Sequence, residues 1–208
     1  MSSESKAINR LINVRSEVSC HYFIKRNGSI ILMVPEAYEA WHAGKSNWKK
    51  IKSLNKYSIG IEINNPGHDH GYKIFSSKQV TSLIKLLRYL KKKYNIKKQN
   101  ILGHSDISPD RKKDPGEKFP WSKLAKKNLC SWHNLKEKNI KKFRNLKIRN
   151  NQYKLFFKNL EKIGYLNING SSSYKRVYLI KAFQRKFRQS LVNGKIDQEC
   201  LLISKSIQ

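Results

Sequence analysis

Two apolar runs, VSCHYFI (residues 18–24) and SIILMV (29–34), stand on either side of KRNG (25–28). No other feature of the chain constrains its fold as much. Asn27-Gly28 can supply the positive φ values that a tight turn between antiparallel strands requires, so the segment is predicted to be a β-hairpin. Further on, YSIGIEI (57–63) alternates. Tyr57, Ile59, Ile61 and Ile63 fall on one side and Ser58, Gly60 and Glu62 on the other, which predicts a strand holding Glu62 away from the aliphatic core. From Val80 to Tyr94 the residues Val80, Leu83, Ile84, Leu87, Leu90 and Tyr94 recur at helical spacing, with Lys85, Arg88, Lys91 and Lys92 on the exposed side. NILGH (100–104) reads as a short buried strand with His104 at its carboxyl end, where open α/β sheets place their ligand chemistry. Residues 1–17 form a polar lead-in of helical character without a clear cap, and VPEAYEAWHAGKSNW (34–48) reads as a structured loop. The order β-β-loop-β-α-β predicts an α/β fold, a mixed central sheet flanked by helices.

At 208 residues the chain is a little longer than one ordinary domain, so a main domain with a small appendage is expected. Beyond Trp121 the composition shifts to NLKEKNIKKFRNLKIRNNQ, a basic stretch read as a helical or extended connector. YKLFFKNLEKIGYL predicts a helix stopped by Gly164, a suitable residue just past a helix end. YKRVYLIKAFQRKFRQ predicts a second helix, and DQECLLISKSI a third, opened by Asp197 as N-cap. The expected organisation is a main domain over residues 1–135, a connector over 136–150, and a small three-helix bundle over 151–208. A bundle this small is marginal alone, so it is expected to lean on the main domain.

Lys and Arg number 44 against 14 Asp and Glu, a formal charge of +30. Such a charge attracts polyanions such as nucleic acid, anionic lipid or an acidic wall polymer. The lysines are scattered through the whole chain, however, and mark no single arm or helix face. Without a clustered footprint or a nucleic-acid motif, no specific nucleic-acid partner is expected. Cys20, Cys130 and Cys200 lie far apart with no CxxC pair, which argues against a disulfide framework. No run approaches the roughly 20 apolar residues of a membrane helix, and the first residues hold no apolar export core. A monomer is expected.

GHSDISPDRKKDPGEKFPW (103–121) carries the chemistry. Hydrolytic zinc sites take three protein ligands and leave the fourth position to water. His104 and Asp114 could be two of them. Taken alone the pair is equally a core histidine and an aspartate closing a turn before proline. His68 and His70 in PGHDHGY look like a metal clip but sit in a loop, and Cys130 and His133 are near each other but lack further ligands for a metal.

The surroundings of the pair are more specific. VSCHYFIKRNGSI, LMVPEAYEAWHAGKSNW, LNKYSIGIEINN and ILGHSDISPDRKKDPGEKFPW cover nearly all of residues 18–121. Together they resemble the zinc-dependent N-acetylmuramoyl-L-alanine amidases, which share their fold with the peptidoglycan recognition proteins. The likeness is greatest to the branch that cleaves anhydro-muropeptides and intact peptidoglycan alike and carries a C-terminal peptidoglycan-binding helical bundle, which LEKIGYLNI and IKAFQRKFRQSLVNGKID resemble. The resemblance implies Zn2+ as cofactor, with His104 and Asp114 as the second and third ligands. It implies Glu62 as general base, Lys112 as the cation meeting the oxyanion, and Trp41 and His42 as the wall of the substrate groove. His21 and Asp106 resemble supporting residues more than ligands. The reaction implied is hydrolysis of the amide between the lactyl group of N-acetylmuramic acid and L-alanine of the stem peptide.

The sequence departs from the family at one point. The first zinc ligand there is a histidine on a core strand, roughly 20 residues before the SxHY motif, completing the three-ligand site. Here that motif begins at Ser19, and counting back reaches Met1 or just before it. The expectation is an amidase domain lacking its first strand, hence an N-terminally truncated one. Either Met1 is an internal methionine of a longer, active protein, or the chain is a remnant that binds peptidoglycan without cutting it. The presence of Glu62, His104, Lys112 and Asp114 together favours the first. Taken literally, two of three ligands are expected to bind zinc weakly and to leave little activity. Intact wall as substrate implies the bacterial cell envelope, and recycled fragments are also met in the cytoplasm; the envelope is the expected location.

Overall fold

The computed structural model describes residues 3–166 and 173–207. In chain order its elements are α1 (Glu4–Ile12), β1 (Tyr22–Ile24), β2 (Ile30–Leu32), β3 (Asn47–Trp48), β4 (Ile51–Lys52), β5 (Ile61–Ile63) and α2 (Ser77–Lys93). They continue with α3 (His104–Ile107), α4 (Trp121–Ala125), α5 (Glu137–Ile140), α6 (Asn150–Ile163), α7 (Ser173–Phe187) and α8 (Gln198–Ser206). The fold is α/β, a mixed sheet flanked by helices with further helices toward the C-terminus. The chain divides into two compact units, Met1–Ser46 with Ile51–Ile96 and Lys118–Pro120, and Asn47–Lys50 with Lys97–Glu117 and Trp121–Gln208.

In the first unit the predicted hairpin forms. β1 pairs antiparallel with β2, Tyr22 opposite Leu32 and Ile24 opposite Ile30, and the turn closes through Lys25 N–H to Ser29 C=O at 2.9 Å. Gly28 takes the positive φ, at 90°, whereas Asn27 spends its side chain on the Ser29 N–H at 2.9 Å. β5 joins the other edge of β1 in parallel, with Tyr22 opposite Ile61 and Phe23 opposite Glu62. The sheet is therefore mixed, in the order β2-β1-β5. Its central strand is buried most deeply, Phe23 and Ile24 being fully inaccessible.

The strand around Glu62 is shorter than the alternation predicts. Tyr57 ends a 3-10 turn over Leu54–Tyr57 and is 69% exposed, because ladder pairing begins at Ile61. Within β5 the predicted sidedness holds, with Glu62 exposed between two half-buried isoleucines. The lead-in is also more ordered than expected. Ser3 caps α1 by accepting from the Lys6 N–H, and Ala7, Ile8 and Leu11 pack on Cys20, Phe23, Ile31 and Met33.

α2 begins at Ser77, three residues before the apolar stripe, because Ser76 and Gln79 form a reciprocal capping box. Val80, Leu83, Leu86, Leu87 and Leu90 are buried, while Lys85, Arg88 and Lys92 face solvent. Tyr94 falls outside the helix and outside the core; its hydroxyl donates to Glu36, which also accepts from Lys93 and from Tyr22 on β1. Burial works against ionisation of Glu36, but the hydrogen bonds from Lys93, Tyr22 and Tyr94 outweigh it and hold the acid at about 2. A charged acceptor thus joins the end of α2 to the sheet.

In the second unit NILGH does not form the predicted strand. Lys98–Asn100 is a 3-10 turn and His104 opens α3. The backbone groups a ladder would use are met by side chains: Ile101 C=O accepts from Lys186 Nζ at 3.1 Å, and Gly103 N–H donates to Asp106 at 2.8 Å. The connector is helical over α5. The three predicted C-terminal helices are present and pack together, with Phe156 edge-on to Phe183 at 5.2 Å and Asn159 donating to Ser204 at 3.0 Å. Asp197 caps α8 through Cys200 N–H, and Gly164 follows α6 with φ of 129°. Arg144 grips Glu199 with two bonds of 2.6 and 2.8 Å, joining the connector to α8. Asn167 and Ile168 of the bundle motif lie outside the described residues. No described helix is long and apolar enough to cross a membrane.

Candidate metal centre

The segment from Gly103 to Glu117 turns back on itself to bring His104 and Asp114 together. α3 spans one turn, Ser108 N–H returning to His104 C=O at 3.0 Å. Lys112 N–H then donates to Ser108 C=O at 2.9 Å, and Ser105 N–H to Asp114 C=O at 2.8 Å. The last bond sets the return strand of this loop beside its start. A side chain at Gly103 would forbid that approach, since its Cβ would stand 2.6 Å from Pro115 Cδ and 3.2 Å from the Trp121 ring. His104 Nδ1 lies 3.1 Å from Asp114 Oδ2.

That separation suits a shared metal. Zinc bonded to nitrogen and oxygen at about 2.0–2.2 Å in tetrahedral geometry sets two such donors about 3.3 Å apart. An imidazole and a carboxylate are the donor types zinc accepts. Among the described residues no group of three or more His, Cys, Asp or Glu comes together, so the pair supplies one edge of such a site. Asp114 is more exposed than not; partial desolvation opposes its ionisation, but the His104 hydrogen bond and charge, a backbone N–H and the charge of Lys112 prevail and hold its acid below the usual value. Asp114 is thereby kept in the form a cation requires.

Asp106 supports this segment. Its carboxylate is buried and accepts from Gly103 N–H at 2.8 Å, Tyr165 hydroxyl at 2.7 Å and Lys186 Nζ at 2.8 Å. Lys186 and Tyr165 were not identified from the sequence. Their partner is 80 and 59 residues away, and in a chain so rich in lysine nothing local sets Lys186 apart.

Glu62, Trp41 and His42 belong to the first unit. Glu62 is exposed on β5, and its charge adds to burial in pushing the Cys20 thiol up to about 12, so Cys20 stays protonated and unreactive at neutral pH. Trp41 is half exposed and held by its backbone, which receives the Ser19 N–H at 3.1 Å and donates to Ser19 Oγ at 2.8 Å. His42 Nε2 lies 3.2 Å from Ser58 C=O, and its ring leaves so little room beside Gly60 that a Cβ there would stand 2.3 Å from His42 Cγ. Gly60 thus lets the loop bearing Trp41 and His42 lie against the start of the strand bearing Glu62.

His21 is fully buried and both its nitrogens are engaged, Nδ1 by Gly60 N–H at 3.0 Å and Nε2 by Tyr38 C=O at 3.0 Å. Because Gly60 is a donor, Nδ1 is the acceptor and Nε2 carries the proton. This histidine is a brace between loop and strand. Replacing His21 by alanine leaves Gly60 N–H buried without an acceptor and opens a cavity, for an expected loss of about 2–4 kcal/mol. Urea unfolding at pH 7 measures it, and a loss under about 1 kcal/mol would mean that water takes over the brace.

Two further histidines stack on aromatic rings. His68 stacks on Tyr72 at 4.4 Å within the loop, and His133 stacks on Trp132 at 4.9 Å. Burial lowers the basicity of His133. Cys130 donates to Trp121 C=O at 3.5 Å.

Comparison with known proteins places this arrangement. The N-acetylmuramoyl-L-alanine amidase family matches residues 1–117. N-acetylmuramoyl-L-alanine amidase AmiD of Escherichia coli is 34% identical over 203 residues, 92% of this chain and 74% of that protein. The 1,6-anhydro-N-acetylmuramyl-L-alanine amidase AmpD of Haemophilus influenzae is 41% identical over 107 residues, 51% of this chain, which spans 56% of that relative. Among solved structures, E. coli AmiD in complex with the substrate anhydro-N-acetylmuramic acid-L-Ala-D-gamma-Glu-L-Lys superposes with a TM-score of 0.85 at 30% identity, covering 97% of this chain and 82% of that one. AmpDh3 from Pseudomonas aeruginosa in complex with anhydromuramic pentapeptide gives 0.84 at 26% identity, covering 99% and 86%. These relatives are named as amidases, which disfavours the reading of a binding remnant. With the family match covering more than half its length, the chain belongs to the N-acetylmuramoyl-L-alanine amidase family of hydrolases.

Proposed function

We propose that this protein hydrolyses the amide between the lactyl carbonyl of N-acetylmuramic acid and the nitrogen of L-alanine, in anhydro-muropeptides and in peptidoglycan. The observation that carries the reading is the 3.1 Å approach of His104 Nδ1 to Asp114 Oδ2, a ready edge for a zinc ion. Zinc bound there would polarise the scissile carbonyl and lower the pKa of water to about 7. Glu62 takes the proton of the attacking water and passes it to the departing alanine nitrogen, work suited to an exposed carboxylate on a strand. Lys112 meets the negative charge that develops on the carbonyl oxygen. Trp41 and His42 receive the muramyl end, the indole offering a flat apolar face to the sugar. Residues 1–135 are assigned to catalysis, 136–150 to a connector and 151–208 to a peptidoglycan-holding bundle, in a monomer working where bacterial wall is met, in the envelope.

The test is product analysis. The protein with equimolar zinc is incubated with anhydro-N-acetylmuramic acid-L-Ala-D-γ-Glu-L-Lys and the mixture resolved by mass spectrometry. Free tripeptide and anhydro-N-acetylmuramic acid are expected in equal amounts. Cleavage inside the peptide, or an intact substrate, would contradict the proposal.

A further inference from the structure

Three side chains from the last quarter of the chain converge on the segment that carries His104 and Asp114. Lys186, buried on α7, donates to Asp106 Oδ2 at 2.8 Å and to Ile101 C=O at 3.1 Å, with its ammonium 4.5 Å from the centre of the Trp121 ring. Tyr165, following α6 and buried, donates to Asp106 Oδ1 at 2.7 Å. Gln189, just past α7, donates through Nε2 to Glu117 C=O at 2.6 Å. The segment is therefore gripped on the N-terminal side of His104, within α3, and on the C-terminal side of Asp114. Between the grips Ser105 N–H joins Asp114 C=O at 2.8 Å.

The location of these bonds says more than their number. A buried Lys–Asp pair gives little net stability compared with apolar residues of the same volume, because two charges must leave water. What such a pair does fix is geometry. Here it fixes the backbone at Ile101 and, through Asp106, at Gly103, the residue immediately before His104. Core filling by a leucine would occupy the space and orient neither.

We propose that Lys186, Tyr165 and Gln189 are positioning residues that hold the 101–117 segment so that His104 and Asp114 stay at ligating separation. The helices after residue 150 then have a second role, as the frame of the metal loop. The proposal rests on the reading of His104 and Asp114 as metal ligands, as proposed above. It requires no contact between these side chains and substrate.

Two measurements on the full chain separate the claims. The first is amide hydrogen exchange without metal, in EDTA, comparing Lys186→Met, Tyr165→Phe and Gln189→Ala with the unsubstituted protein. The amides of Gly103, Ser105 and Asp106 are expected to exchange at least about tenfold faster in Lys186→Met and Tyr165→Phe, with α6 and α8 amides unchanged. The second is the zinc dissociation constant by competition with a chromophoric chelator, expected to rise about 10- to 100-fold, as when a residue supporting a ligand is lost. Tyr165→Phe removes one hydroxyl and no charge, so it answers the question even where Lys186→Met fails to fold. Unchanged exchange at 103–106, or faster exchange in every helix alike, would overturn the proposal. An unsubstituted chain that binds no zinc but shows the local exchange effect would sink the metal reading and leave the positioning of the segment standing.

Discussion

Replacing His104 by alanine is expected to abolish muropeptide hydrolysis, with kcat/KM falling by about 10^3-fold or more, and to weaken zinc binding by more than about 100-fold. The size follows from what the imidazole does. His104 is one of two donors facing each other at 3.1 Å, and its removal leaves Asp114 as a lone carboxylate, more exposed than not, that water screens readily. In the proposed reaction, several kcal/mol of charge stabilisation at the carbonyl would be lost with the zinc ion, and each 1.36 kcal/mol is a factor of ten in rate. Stability should change little, because His104 is only partly buried. The check is a paired measurement of zinc content after gel filtration and of stem-peptide release. Full zinc occupancy in the alanine variant would remove His104 from the ligand set, whatever the rate.

Glu62→Gln should behave differently. Proton transfer by a placed carboxylate contributes about 10^2- to 10^4-fold, so kcat is expected to drop within that range while KM and zinc content stay near those of the unsubstituted protein. Glutamine keeps the shape and one acceptor but cannot take a proton at neutral pH. The exchange also removes a negative charge that, after burial, raises the Cys20 thiol, so the thiol should become more acidic in the folded protein. A variant retaining more than about a tenth of the rate would assign the proton shuttle to another group.

Much of this protein could be read in its sequence wherever the signal was local. The hairpin was legible because Asn27-Gly28 is turn chemistry between two apolar runs, and Gly28 takes the predicted backbone conformation. The side on which Glu62 stands followed from a period of two residues, even though the strand proved shorter. His104 and Asp114 could be named as a pair from a motif, but their approach depends on Gly103 admitting Pro115, which no spacing rule reports. NILGH failed for a different reason. Its apolar character marked burial correctly, but burial does not say where backbone groups find partners, and here a lysine 85 residues on replaces a neighbouring strand. Lys186 itself was illegible. In QRKFRQ nothing local marks Arg185, Lys186 and Arg188 for burial, yet all are buried, and acceptors from other segments receive Lys186 and Arg188.

The long reach of Lys186 bears on how the protein is made. Asp106 is synthesised 80 residues before the lysine that neutralises it and 59 before the tyrosine that shares its carboxylate. At about 5–20 residues per second, Asp106 waits roughly 4–16 s on the ribosome or in its vicinity before Lys186 is added. During that interval the sheet of the first unit has all its strands and can form, whereas the histidine loop lacks the partners that give it shape. Ordering of the loop is therefore a late event of biosynthesis, and a ribosome-stalled chain ending before α7 should carry a folded hairpin and an unformed His104–Asp114 loop.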